Sequence, residues 1–194
     1  FNNSYKISPN EFRIWMRVLN KVENSVLWLF GSNMWAKDNL IKAAEDYGIK
    51  SERMIFAEKL LYSDHIARLR LADLFLDTFN VNAHTTTSDA LWAGIPVITK
   101  LGNGFASRVA ASILKAVGLP ELIVQNENEY ESLILEIANS PSKLIKIKEK
   151  LSSNKVSEPL FNSEMYISHL EDAYKQVLEN HLKKSSAKTI YVKP

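Results

Sequence analysis

His84-Thr85-Thr86-Thr87-Ser88-Asp89 sets four consecutive hydroxyl side chains between an imidazole and a carboxylate. The apolar run Leu74-Phe75-Leu76 and then Asp77 come before it, and Ala90-Leu91-Trp92-Ala93-Gly94-Ile95-Pro96 follows. The stretch therefore reads as strand, loop and start of a helix. At such a junction the hydroxyls and the unpaired N–H groups of the first helical turn can converge on one point, where the helix dipole also favours negative charge. That is chemistry for holding phosphate. A purely structural reading uses the same residues, with Thr86 as the helix cap and Asp89, three residues on, closing a capping-box-like contact.

Two further clusters could do chemistry. His65 and Arg68 are three apart on one predicted helix and share a face. His65 lies in the first turn, where the dipole disfavours protonation and leaves a neutral ring able to stack on a base. The structural alternative is a surface histidine beside an arginine paired with Asp64 or Asp73. Gly102-Asn103-Gly104-Phe105-Ala106-Ser107 approximates the G-x-G-x-x-G/A dinucleotide pattern between a strand and a helix. That fingerprint belongs to the first strand–helix turn, with an acid at a strand end about 20 residues on. Here several such units precede it and Glu121 begins a strand, which argues against NAD. The phosphate loop G-x-x-x-x-G-K-[ST] is absent, which argues against a P-loop NTPase.

Asn82-Ala83-His84-Thr85-Thr86, Leu91-Trp92-Ala93-Gly94 and Ala106-Ser107-Arg108-Val109-Ala110-Ala111-Ser112, in that order, resemble the O-GlcNAc transferase/SPINDLY glycosyltransferase family. The resemblance runs from Phe1-Asn2 through Pro159-Leu160-Phe161-Asn162 and corresponds to the C-terminal, nucleotide-sugar-binding lobe of that family's GT-B enzymes. It implies an inverting, metal-independent transfer of N-acetylglucosamine from UDP to protein serine or threonine, with a UDP-sugar donor and no cofactor. A GDP-fucose donor of the SPINDLY kind stays open, as does a non-catalytic nucleotide-sensing module. The partners implied are the protein acceptor, a further N-terminal catalytic lobe and tetratricopeptide repeats; no general base is visible in this chain.

By the same resemblance Lys6 contacts the nucleotide diphosphate and carries the catalytic electrostatics, and Asn3, where the family has glutamine, is a shorter-armed candidate for that region. His65 packs on uracil and Arg68 helps read it. His84, Thr85 and Thr86 go to the diphosphate, partly through backbone N–H groups, and Asp89 to the ribose hydroxyls. Tyr62 stands where these transferases commonly carry a lysine that reaches the ribose, which weakens the assignment of UDP over another nucleotide. Arg108, near the start of a helix whose dipole opposes a cation, needs a partner, and Asp77 is the candidate.

At 194 residues the chain fits one large domain, read as a lobe with C-terminal helices over 1–183 and a polar tail over 184–194. The composition, 46% hydrophobic and 24% charged, is that of a globular protein. A formal charge of +2 is too small to argue for nucleic acid or an anionic membrane, so phosphate recognition must be local. There is no cysteine, which removes disulfides, thiolate catalysis and cysteine zinc sites and fits a reducing, cytoplasmic setting. Four scattered histidines give no metal-ligand spacing. The opening on Phe1-Asn2-Asn3, without methionine, suggests an excised piece of a longer protein.

The positioning elements follow in order. Ser8-Pro9-Asn10-Glu11 is a helix start with a capping box, and Phe12, Trp15, Leu19 and Val22 recur at helical spacing toward a core. Ser25 to Gly31 reads as a strand buried on both faces. Asp38 caps a helix to Tyr47, closed by Gly48. Strands follow at Met54–Ala57, Leu74–Asp77, Pro96–Thr99 and Glu121–Val124, with helices from Ser63 to Ala72, from Thr86 to Gly94 and from Ser107 to Val117. Helical patterns continue at Glu127–Ala138 and Pro141–Leu151. Asn162 caps a long helix to about Lys183, with Phe161 stapled on Tyr166. In a GT-B protein such a terminal helix passes back toward the other lobe. Alternating strands and helices predict an α/β fold with a doubly wound parallel sheet, its ligand beyond the carboxyl ends of the strands.

Overall fold

The computed structural model describes residues 3–31, 33–184 and 186–192. Phe1 and Asn2 of the opening stretch, and Ser185 with the last two residues of the polar tail, lie outside the described residues.

The strands are β1 (Leu27–Phe30), β2 (Met54–Ala57), β3 (Phe75–Leu76), β4 (Val97–Lys100) and β5 (Ile123–Val124). Around them run α1 (Pro9–Lys21), α2 (Met34–Asp46), α3 (Tyr62–Leu69), α4 (Thr85–Ala93), α5 (Val109–Ala116), α6 (Glu127–Ala138), α7 (Pro141–Ser157) and α8 (Ser163–Leu182). Every ladder is parallel, as the alternation of strands and helices requires. The ladders form two groups, β1-β2 and β3-β4-β5. An apolar cavity of about 440 Å³ lies along the seam between β1 and β3, lined by Trp15 and Leu19 of α1, Leu27 and Leu29 of β1, Phe75 of β3 and Ile134 of α6.

That seam changes the expected burial of β1. Leu29 is buried, but Leu27, Trp28 and Phe30 are only partly covered and Val26 is exposed. An apolar run gains full cover only with a neighbour on both edges, and β1 has its ladder partner on one.

Local signals decide the structure where donor and acceptor sit within one turn. The Glu11 carboxylate accepts from the Ser8 N–H at 2.7 Å and from the Ser8 hydroxyl, closing the capping box of α1. Phe12, Trp15 and Leu19 are buried, and Val22 packs on the core from the helix's C-terminal boundary. Gly94 closes α4 at φ +91°, a left-handed conformation in which a β-carbon is strained. The Asn162 side chain accepts from the Met165 N–H at 3.0 Å, capping α8.

Other expectations are corrected. α2 starts at Met34, capped by Asn33 accepting from the Ala36 N–H at 2.7 Å, so Asp38 lies inside the helix. α3 stops at Leu69, and α7 continues six residues past Leu151 to Ser157. The stretches expected to open α5 and β5 form short 3-10 turns instead, Phe105–Ser107 and Pro120–Leu122, and Glu121 falls within the second. Phe161 packs edge-on against Trp92, 5.2 Å between centroids, while Tyr166 is exposed. α8 has no buried residue, and Ile167, Leu170, Tyr174 and Val177 form an exposed stripe at helical spacing.

The glycine motif has a structural account. A β-carbon on Gly102 would collide with the Ser107 side chain, and the Gly102 N–H donates to the Ser107 carbonyl at 2.9 Å. Gly102 is small so that its own loop can close. Gly102→Ala should lower stability by about 1–3 kcal/mol through overpacking. Gly104→Ala, which meets only ordinary contact at 3.9 Å, should fall well short of that. Thermal unfolding of the two variants compares them directly.

Candidate functional site

β3 ends at Leu76 and passes to Asp77, a carboxyl with no exposed surface. Asp77 Oδ1 accepts from the Thr78 N–H at 2.9 Å and the Ala83 N–H at 2.6 Å, and Oδ2 accepts from the Thr99 hydroxyl at 2.7 Å. The loop back to Ala83 is thereby folded onto one side chain. Within it, Thr78 donates to the Val81 carbonyl at 2.7 Å, and the Asn82 amide donates to the Thr78 carbonyl at 2.8 Å. The Tyr130 hydroxyl of α6 donates to the Asp77 carbonyl at 2.9 Å. Burial pushes the Asp77 carboxyl up to about 7, against the three donors and nearby Lys6, which favour the charged form.

This hub delivers His84 to the N-terminus of α4. Lys6, in the short 3-10 turn Ser4–Lys6 before α1, donates from Nζ to the Asn82 carbonyl at 3.0 Å. The Asn82 N–H donates to the Ala106 carbonyl at 2.8 Å, and His84 Nε2 reaches the same carbonyl at 3.2 Å. A carbonyl only accepts, so His84 Nε2 carries the proton of this contact. Phe105, 82% exposed, stands edge-on to the His84 ring with centroids 6.2 Å apart.

His84 is the N-cap residue and α4 begins at Thr85, so Thr86 lies within the first turn and is not the cap. Thr85 is exposed and Thr86 partly so, whereas Thr87 is buried and donates to the Ala83 carbonyl at 2.7 Å. The hydroxyl run is therefore divided between structure and solvent. The expected capping contact of Asp89 is not made; Asp89 Oδ1 accepts from the Tyr62 hydroxyl at 2.9 Å.

The second cluster sits on α3. Arg68 Nη1 donates to the Glu58 carbonyl at 2.6 Å, and Nη2 lies 3.1 Å from His65 Nδ1. Guanidinium only donates, so Nδ1 accepts and the ring is the neutral Nε2–H form. Burial, then the adjacent Arg68 charge, lowers the His65 pKa. Asp73, the alternative partner for Arg68, pairs with Lys148 at 3.6 Å.

Lys6 and His84 thus meet through the Asn82 and Ala106 carbonyls, and Thr85, Thr86 and Asp89 lie on α4, which follows His84. Asn3 contributes a side-chain contact to Tyr5, its amide donating to the hydroxyl at 3.3 Å. The Arg108–Asp77 pairing does not form: Arg108 is exposed and donates to the Gly102 carbonyl at 3.3 Å, and Lys6 is the cation that acts on Asp77. A buried carboxyl favours N–H and hydroxyl donors over a long solvated side chain, which keeps its charge in water.

Asp77 as a hub, with Thr99 and Tyr130, was missed by sequence reasoning. The available signal was a carboxylate ending an apolar strand, which must be satisfied once buried. Among the described residues no group of three or more His, Asp or Glu side chains is arranged to hold a metal ion, and no helix is long and apolar enough to cross a membrane.

Comparison with known proteins matches the family model for glycosyl transferase family 41 to residues 1–170. The UDP-N-acetylglucosamine--peptide N-acetylglucosaminyltransferase of Caenorhabditis elegans is 33% identical over 181 residues, covering 93% of this chain and 16% of that protein. Two Arabidopsis thaliana proteins, the probable transferases SEC and SPINDLY, are 35% and 31% identical and cover 93% and 94% of the chain. The chain spans a sixth to a fifth of the length of these relatives. A solved structure of a mutant Thermobaculum terrenum O-GlcNAc transferase superposes with a TM-score of 0.79 at 29% identity, covering 91% of this chain and 34% of that one.

Proposed function

The chain belongs to glycosyl transferase family 41, and on that premise we propose that it is the donor-binding part of an inverting protein O-glycosyltransferase. The donor is a UDP-sugar, UDP-N-acetylglucosamine by analogy with the names of its relatives, and the acceptor a protein serine or threonine.

One observation carries this reading. Lys6 and His84, 78 positions apart, are drawn to neighbouring carbonyls at the N-terminus of α4. A cation, an imidazole, two hydroxyls and the first-turn N–H groups then share one end of a helix dipole. That combination suits a diphosphate. Asp89, one turn along α4, then takes the ribose, and His65 and Arg68 the base, in this reading.

In the transfer, the acceptor hydroxyl oxygen bonds to the anomeric carbon as that carbon's bond to the diphosphate oxygen breaks. The departing UDP gains charge, which Lys6 and the α4 N-terminus stabilise without a divalent ion. The acceptor's proton goes to a base outside this chain. The exposed α8 stripe supports a further catalytic lobe packing there, with tetratricopeptide repeats beyond it. We infer that the polar tail over 184–194 takes no part in donor binding.

Accordingly, the 194-residue chain should bind UDP and transfer sugar to a protein acceptor slowly or not at all, while a version extended to its relatives' length transfers. Transfer of labelled sugar, assayed on both, tests this. Brisk transfer by the short chain would contradict the division of labour, and none by the extended chain would favour a non-catalytic sensing module.

A further inference from the structure

We propose that Tyr62 is a specificity-determining residue that occupies the ribose subsite of this chain, competing with the nucleotide's 2′- and 3′-hydroxyls for Asp89. The proposal rests on the assignment of Asp89 to the ribose.

Tyr62 is the first residue of α3 and Asp89 lies in the second turn of α4. The phenol hydroxyl donates to Asp89 Oδ1 at 2.9 Å, joining the two helices across 27 residues of sequence. Tyr62 is 67% exposed, so core packing does not hold it there. What holds it is a charge-assisted hydrogen bond, of the strong class. The same contact raises the Tyr62 pKa, keeping the hydroxyl protonated and able to donate.

A carboxylate meets vicinal hydroxyls best with both oxygens, one to each. In this chain one oxygen is already taken by a donor of the same kind. A ribose entering must displace the phenol or settle for Oδ2. Either way the hydroxyl contribution to affinity is reduced, because a protein hydrogen bond is exchanged where one could have been gained. His65 is three residues on from Tyr62 along α3, and Asp89 acts on its charge, so base and ribose recognition meet at this pair.

The consequence is a chain that discriminates weakly between UDP and 2′-deoxy-UDP, by less than about threefold, until Tyr62 is removed. Tyr62→Phe keeps the ring and frees Asp89. It should tighten UDP binding about fivefold and widen the UDP to 2′-deoxy-UDP ratio to about tenfold, the scale of one charge-assisted hydrogen bond.

The test is calorimetric titration of the 194-residue chain with both nucleotides, as wild type, Tyr62→Phe, Asp89→Ala and the double variant. Support is the wider ratio in Tyr62→Phe, abolished in the double variant. If Tyr62→Phe leaves affinity and ratio unchanged, or weakens UDP, while Asp89→Ala still weakens UDP, this proposal fails and the ribose assignment stands. If Asp89→Ala changes UDP affinity in neither background, or no form binds UDP, the ribose assignment fails and the proposal with it. Thermal melts matched between wild type and Tyr62→Phe confirm that folding is not the cause.

Discussion

Asp77→Ala should destabilise the protein by roughly 3–5 kcal/mol, since it strands the Thr78 and Ala83 N–H groups and the Thr99 hydroxyl without their acceptor. Asp77→Asn separates charge from shape. An amide oxygen can still accept from both N–H groups, and its nitrogen can donate to Thr99 once that hydroxyl turns. What it removes is a titration. The Asp77 pKa stands at about 7 in the folded protein against 3.8 as its ordinary value, so between those limits the folded chain holds a proton the unfolded chain has lost. Stability from this group is therefore greatest below about pH 4 and falls as pH rises toward 7. The slope approaches about 1.4 kcal/mol per pH unit, and the whole window is worth about 4 kcal/mol at most. Denaturant unfolding from pH 4 to pH 8 should show wild type losing stability relative to Asp77→Asn as pH rises. Parallel curves would mean that Asp77 is ionised throughout and that its donors outweigh its burial.

The second large effect concerns Lys6. In a protein with the full length of its relatives, Lys6→Ala should lower kcat by roughly 100- to 1000-fold, the scale on which a group facing developing charge acts. KM for the sugar nucleotide should rise far less, because the charge on the departing diphosphate grows in the transition state. Lys6→Arg restores the charge in a different shape and should recover only part of the rate. Steady-state kinetics on the three proteins give the answer. Equal rises in KM with kcat unchanged would make Lys6 a ground-state contact only. Lys6 also holds the Asn82 carbonyl, so a melt of Lys6→Ala serves as the structural control.

What could be read from sequence divides along the range of the interactions. Caps were legible at Ser8 and Asn162, and the helix end at Gly94, because donor and acceptor lie within a turn and residue type decides the contact. Asp38 has a cap's side chain, but Asn33, five residues earlier, makes the cap, and residue type alone does not decide between two such positions. The parallel α/β order followed from alternation, but the seam beside β1 did not, since which strand edges meet depends on how whole layers pack. The same holds at the site. His84, Thr85, Thr86 and Asp89 fall within one stretch of six residues, where residue type and spacing are visible together. The hub at Asp77 joins residues 22 and 53 positions apart, and no local pattern records that. Tyr62 was visible as a departure from the family, yet only the folded chain pairs it with Asp89.

The central claim is that the N-terminus of α4 holds a nucleotide diphosphate. Calorimetric titration of the 194-residue chain with UDP, uridine and NADH tests it most directly. The account predicts saturable binding of UDP, weakened at least tenfold for uridine and in Lys6→Ala, with NADH neither binding nor competing. Uridine binding as tightly as UDP, or NADH binding that UDP does not displace, would contradict it.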